Sequence, residues 1–236
     1  MKLLSIKDYL YLICLSANSC MFVRDYNSNC IQKQFAMSKK NYLSLFLISG
    51  LLLFINPYSF AQMKVLSKGS KAPMFTTKAS MAGNEFDFSL KEALDKGPVV
   101  VYFYPAAYTG GCDIEAHTFA EMKDKFTAAG ATIIGVSADD IERLKSFSSN
   151  PDYCAGKFPV ASDAGGKIAA SYGLELTPPK EGVKDVTGQQ VTHGFIPRTT
   201  FVINKNGEIV AVFSSETDHI SPDEHVKKSL EIVTSL

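Results

Sequence analysis

The sequence lacks an excess of charge of either sign: 24 Lys and Arg stand against 24 Asp and Glu, for a formal net charge of zero. It therefore lacks the basic surplus that nucleic-acid binding draws on, and no nucleic-acid partner is expected. Cysteine is scarce, at five residues, and none forms a C-x-x-C pair, because Cys112 is followed by Asp113-Ile114-Glu115. That absence excludes a dithiol exchanger of the C-x-x-C type. The four histidines, His117, His193, His219 and His225, hold no metal-ligand spacing with the cysteines. A copper site on Cys112, Cys154 and His193 is conceivable, but it lacks the paired cysteines a soft metal favours, so no metal or other cofactor is expected. There is no internal repeat and no low-complexity segment.

Residues upstream of Gln62 read differently from the rest. Lys39 and Lys40 form a basic n-region, Tyr42–Ile55 an apolar h-region broken by Ser49-Gly50, and Ser59-Phe60-Ala61 a small-residue cleavage site. The pattern predicts a signal peptide over 37–61, cut after Ala61, and an exported, periplasmic protein. The apolar core falls short of the ~20 residues of a membrane span, and an uncleaved anchor is the alternative. Residues 1–36 fit no signal plan that starts at Met1, so translation is expected to begin at Met37. A lipoprotein reading on Cys20 is weaker, since Ala17-Asn18-Ser19 is a poor lipobox. Residues 62–236, about 175 in number, make a normal single-domain length. Of the five cysteines only Cys112 and Cys154 lie in that part, and in an exported protein a structural disulfide is their plainest use.

The chain is organised around Val99–Glu115, VVVYFYPAAYTGGCDIE. The run Val99–Phe103 is apolar and β-branched or aromatic throughout, as a strand buried on both faces requires. Pro105 ends it, having no N–H for a ladder. A loop then delivers Cys112 to the first turn of a helix marked by Ile114, Phe119, Met122 and Phe126. Unpaired N–H groups and the positive end of the helix dipole favour a thiolate there, which predicts a lowered pKa. Strand, proline loop and helix-start cysteine describe a placed nucleophile.

The pattern Pro105-x-x-x-Thr109-x-x-Cys112, with Phe103-Tyr104 before it and Glu115 after it, resembles the peroxidatic loop of peroxiredoxins. Pro197-Arg198-Thr199-Thr200-Phe201-Val202-Ile203 resembles the segment carrying that family's active-site arginine, and Lys68–Phe75 its opening strand. The resemblance runs from about Gly69 to the C-terminus and is closest to the bacterioferritin-comigratory, or Q-type, branch. It implies a thiol-dependent peroxidase acting on hydrogen peroxide or organic hydroperoxides, recycled by a thioredoxin-like or small-thiol reductant, as a monomer or homodimer. The alternative is a non-enzymatic redox or copper-binding protein of the same fold.

Taken in order, the domain reads as a strand near Phe75–Ala79, a turn at Met81–Asn84, a strand at Glu85–Phe88 and a short helix capped by Ser89. After the Cys112 helix, ended at Gly130, come a strand at Thr132–Val136, a helix from Asp139-Asp140 to Asn150-Pro151 and a short strand at Phe158–Ala161. Ala164-Gly165-Gly166 leads into a helix ending at Tyr172-Gly173. Thr199–Ile203 and Ile209–Phe213 flank Asn204-Lys205-Asn206-Gly207 as a hairpin, and Ser221-Pro222-Asp223-Glu224 opens a last helix with a capping box. This order fits an α/β fold: a thioredoxin-like mixed sheet flanked by helices, with extra N-terminal strands and a C-terminal hairpin plus helix. Glu175–Ile196 is the exception, longer than an ordinary structureless loop. It holds an extra hairpin (Val183–Val186 with Gln190–His193) or a mobile flap beside the active site, or it is a surface insertion without a role.

The resemblance assigns the roles. Cys112 attacks the peroxide and becomes a sulfenic acid. Thr109 hydrogen-bonds the peroxide, or only caps the helix. Arg198, always charged and rich in fixed donors, favours the thiolate and the departing oxyanion. Pro105 shields the sulfur from water. Glu115 fits a helix-start or local pairing role better than that of a base. Where one form of the Q-type branch has a resolving cysteine five residues after the first, this sequence has His117. Cys154 is then the remaining candidate, matching members that carry the resolving cysteine on the following helix. A Cys112–Cys154 bond needs Cα atoms within ~7 Å, so the first turn of the Cys112 helix has to unwind. The other reading is that Cys154 is a bystander and an external thiol completes the cycle.

Overall fold

In Val99–Phe103 (β3) every residue is buried, and the side chains alternate between two cores. Val100 and Tyr102 point into one, with Phe119, Phe126, Phe147 and Phe158; Val99, Val101 and Phe103 point into the other, with Leu94, Tyr172 and Phe201. A strand that feeds two cores has to be central, and β3 is flanked on both sides. The computed structural model describes residues 64–236; the predicted signal peptide and the segment before it lie outside them.

On one side β3 pairs in parallel with β4 (Thr132–Ser137), which pairs in parallel with β5 (Val160–Ser162). On the other it pairs antiparallel with β6 (Thr199–Ile203), which continues antiparallel to β7 (Ile209–Ser214). β1 (Thr76–Met81) joins β5 antiparallel, and β2 (Asn84–Ser89) closes that edge. The result is one seven-stranded mixed sheet in the order β2-β1-β5-β4-β3-β6-β7. Helices α2 (Gly110–Ala128), α3 (Ile141–Ser149) and α5 (Pro222–Thr234) supply the first core, and α1 (Leu90–Lys96) and α4 (Lys167–Ser171) the second. This is the predicted thioredoxin-like α/β architecture, and no helix among the described residues is long and apolar enough to cross a membrane.

The local signals act as their chemistry dictates. Ser89 accepts from the Glu92 N–H, Asp140 caps α3 through the Arg143 N–H, and Ser221 with Glu224 forms the capping box of α5. Ala82 and Gly83 make the β1–β2 turn with φ of +51° and +80°, the left-handed pair a two-residue hairpin needs. Two boundaries differ from expectation. β5 begins at Val160 rather than Phe158, because Pro159 has no N–H to give; its carbonyl still accepts from Gly135. In the Glu175–Ile196 segment pairing shrinks to a bridge between Lys184 and Gln190, with Asp185 donating to Gln189 and Val191 to Val183. Gly135 sits opposite Tyr102, and a Cβ there would stand 2.5 Å from the Tyr102 ring. That tyrosine therefore lies flat across the sheet, stacked on Phe119 with centroids 4.6 Å apart.

Candidate active site

Beyond β3 the chain turns sharply. The Tyr104 N–H still bonds the Val136 carbonyl at 3.0 Å, Pro105 is half-buried, and Tyr108 sits at φ +59°. A bulky L-residue in that left-handed region costs on the order of 1–2 kcal/mol and persists only where its surroundings hold it. Thr109 is the N-cap of α2, and its carbonyl accepts from the Cys112 and Asp113 N–H groups at 2.7 and 3.0 Å. The Thr109 hydroxyl makes no capping bond; it donates to the Ala106 carbonyl at 2.7 Å and faces the sulfur side of the loop.

Cys112 lies in the first turn of α2 and is 2% exposed. Arg198, the residue before β6, brings Nη2 to 3.1 Å from Cys112 Sγ and pairs through Nη1 with Glu115. Glu115 is one turn beyond Cys112 on the same helix and wholly buried. A Cβ at Gly111 would come within 3.1 Å of Arg198 Nη2, so glycine leaves room for the guanidinium. Behind Arg198, buried His225 bridges Thr200 and Ser215, at 2.9 Å each; burial and the Arg198 charge push its pKa down to about 4.

The electrostatics correct one expectation. Burial pushes the Cys112 thiol above its ordinary value, against the Arg198 guanidinium, the Ala106 backbone and the Thr109 hydroxyl, all of which favour the thiolate. A helix start alone predicts a lowered value; the depth at which this helix start is buried is not visible in the linear sequence. Burial likewise raises Glu115 to about 7 in spite of Arg198, and raises Asp113 to about 6 with help from the nearby Asp185 charge.

Cys154 occupies the same apolar cluster but a different setting. It sits in the turn 151–156 beyond α3, not on a helix, is fully buried, and burial pushes its thiol far above the ordinary range. Both thiols are free. Four buried polar atoms have no partner among the described residues: the hydroxyls of Tyr102 and Tyr104, Asp113 Oδ1 and Glu115 Oε1. His117, at the alternative resolving position, is half-exposed and holds the Asp152 carbonyl at 3.2 Å and Glu121 at 3.4 Å. His193 spends one ring nitrogen on the Gly194 carbonyl (2.8 Å) and the other on Asp139 Oδ1 (2.9 Å), which leaves neither for the copper alternative.

Sequence reasoning missed a second charged cluster beside the loop. Asp139 accepts from the Ala107 N–H, the Ser137 hydroxyl and Arg143 Nε at 2.8, 2.7 and 2.9 Å. Arg143 reaches on to Asp185, to Gln189 Oε1 at 3.0 Å and to the Ala107 carbonyl at 3.0 Å. The segment 184–193 is thereby drawn against the Cys112 loop. The one available signal was the i,i+4 spacing of Asp139 and Arg143.

The AhpC/TSA family matches residues 68–212 of the chain. The chloroplastic peroxiredoxin Q of Gentiana triflora is 34% identical over 170 residues, covering 72% of this chain and 68% of that protein. Among solved structures, peroxidoxin BcpB of Mycobacterium tuberculosis superposes with a TM-score of 0.59 at 30% identity, over 72% of this chain and 98% of that one. Xanthomonas campestris peroxiredoxin Q does so with a TM-score of 0.52 at 25% identity, over 67% and 89%.

Proposed function

The chain belongs to the AhpC/TSA family of peroxiredoxins and is a peroxidase; from that premise we propose that Cys112 is its peroxidatic residue, that Arg198 and Thr109 orient the hydroperoxide, and that Cys154 resolves the oxidised sulfur. The observation that carries this reading is the contact of Arg198 Nη2 with Cys112 Sγ at 3.1 Å, in a helix first turn, with Glu115 holding the other arm of the guanidinium.

In the proposed cycle the Cys112 thiolate attacks the near peroxide oxygen and the O–O bond breaks. The sulfur becomes a sulfenic acid, and the departing alkoxide or hydroxide takes a proton and leaves as alcohol or water. Charge develops on the departing oxygen, where Arg198 provides fixed, always-charged donors. Glu115 keeps the guanidinium aimed, while its own charge opposes the thiolate. Thr109 can turn its hydroxyl from the Ala106 carbonyl to the substrate, and Pro105 walls the sulfur from water. The Cys154 thiol then displaces hydroxide from the sulfenic acid, giving a disulfide and water, and a thioredoxin-like or small-thiol reductant restores both thiols.

The intact mass of the mature protein before and after one equivalent of hydrogen peroxide tests the assignment. A loss of two hydrogens mapped to Cys112–Cys154 is expected. One added oxygen on Cys112 alone would make Cys154 a bystander, and no change in a fully reduced sample would remove Cys112 from its role. We further read the chain as exported to the periplasm, with residues 37–61 as signal peptide and 1–36 outside the translated protein. N-terminal sequencing of the mature protein from its host is expected to begin at Gln62, and peptides from residues 1–36 in the unprocessed precursor would refute the start at Met37.

A further inference from the structure

We propose that Arg143, seated on Asp139 and clasped by Asp185, is a latch on the Cys112 loop, and that its release sets how fast the loop opens. The proposal rests on the peroxidase reading above and concerns what that reading leaves open: how a sulfur buried at the base of a closed loop leaves its pocket.

The loop is held from outside at successive residues. Ala107 is gripped by both backbone groups, its N–H by Asp139 Oδ2 at 2.8 Å and its carbonyl by Arg143 Nη2 at 3.0 Å. Tyr108 is gripped next, its carbonyl accepting from the Val186 N–H at 2.9 Å while the Arg143 guanidinium lies 5.0 Å over its ring. Asp185 and Val186 are adjacent in the segment 184–193, so the contact that clasps Arg143 also presents the Val186 N–H to the loop. Asp185 is itself fixed by the Thr187 N–H and hydroxyl and by the Gln189 N–H, which makes the clasp a formed turn rather than a loose side chain.

Two features make this arrangement a latch and not mere packing. Tyr108 is kept at φ +59°, a conformation that relaxes once its holders let go. Its ring also meets Tyr153 and Phe147 edge-on, at 5.3 and 5.1 Å, so it covers the turn that carries Cys154. A cavity of about 600 Å³, lined by Tyr108, Arg143, Gln189 and His193 among others, lies between α3 and the segment and gives these groups room to part. One movement, Tyr108 leaving Arg143 and Tyr153 together, frees the loop and uncovers the Cys154 turn.

The latch thus governs a choice between two fates of the sulfenic acid. While the loop stays closed, a second hydrogen peroxide can convert Cys112–SOH to the sulfinic acid and water. Once the loop opens, Cys112–SOH and the Cys154 thiol can give the disulfide and water.

Hydrogen exchange on the reduced protein tests the latch without any peroxide. In Arg143→Met and Asp185→Asn the amides of residues 106–112 are expected to exchange at least about tenfold faster than in the wild type, with Arg143→Met the larger effect and α5 unchanged. Asp185→Asn keeps its acceptor oxygen for Thr187 and Gln189, and carries the test if Arg143→Met fails to fold. Unchanged exchange in the loop, or equal acceleration throughout the protein, would overturn the proposal. Rapid-mixing measurements with peroxide then follow the same variants, and a smaller sulfinic fraction per turnover is expected. Faster loop exchange with no disulfide would uphold the latch and overturn only the resolving role of Cys154.

Discussion

Cys112 and Cys154 are both free, buried thiols in one apolar cluster, yet their surroundings differ in kind. Cys112 has a guanidinium against its sulfur, a hydroxyl beside it and a helix start beneath it. Cys154 has aromatic rings and the Asp113 charge, and no group among the described residues favours a thiolate there. Burial raises both thiols, but only at Cys112 do other groups act against it. At equal depth, the two thiols are distinguished by whether a counter-charge was buried with them. On the proposed assignment, Cys112 acts from inside its pocket, and Cys154 acts only after leaving its own.

The largest predicted effect breaks the comparison outright. Cys112→Ser is expected to abolish peroxide turnover, whereas Cys154→Ser leaves the first oxidation intact and blocks recycling by a thioredoxin-like reductant. Rapid mixing with peroxide separates the two, and full recycling by Cys154→Ser would refute its resolving role. Next, Arg198→Met removes the counter-charge and leaves Cys112 only the Thr109 hydroxyl, the Ala106 backbone and the helix start against burial. The peroxide step should slow by about 10²–10³-fold, the cost of losing one well-placed donor to a developing oxyanion, and the pH profile of Cys112 alkylation should move up.

A third test works on the support behind Arg198. The folded pKa of His225 is about 4, below its unfolded value, so protonation of the unfolded chain weakens folding as pH falls from about 6.5 to 4. The loss approaches about 3 kcal/mol at the low end of that window. Glu115 acts in the opposite sense, since its raised pKa makes stability increase as pH falls from about 7 toward 4.5. The measurement is accordingly the difference between the wild-type and His225→Gln denaturation curves across pH, in which the Glu115 contribution cancels; a flat difference would contradict the assignment. The smallest effect is expected from Glu115→Gln, which removes a charge opposed to the thiolate while keeping an oxygen for Arg198. Its alkylation profile should shift modestly downward, and the peroxide rate should change by less than about tenfold. A large loss would mean that Glu115 does more than aim the arginine.

Much of this was legible in the residues themselves. The unbroken run Val99–Phe103 announces a strand buried on both faces, Ser221-Pro222-Asp223-Glu224 announces a helix start, and the Cys112 and Arg198 segments, picked out together, do meet in the fold. The cluster of Asp139, Arg143, Asp185 and His193 was not legible. Its members lie up to 54 positions apart, as between Asp139 and His193, and each has a sufficient local explanation as helix start, helix surface or polar loop. The raised Cys112 thiol was hidden for a related reason: a helix terminus is a local feature, whereas burial is decided by what the rest of the chain lays over it. Cys154 could be assigned to the correct stretch but not to a turn, because Ala155 at φ +50° gives no sign of its conformation in its identity.

The sheet order carries a consequence for the time course of folding. The β1–β2 hairpin closes through a two-residue turn and is the most local strand pairing among the described residues. It can join the sheet only through β5, where Ala79 must find Ala161, 82 positions later in the chain. Such distant closure is slow relative to hairpin formation. The earliest element to form therefore docks late, and the same short β1–β5 contact makes the N-terminal hairpin the first part of the sheet expected to detach when the protein unfolds.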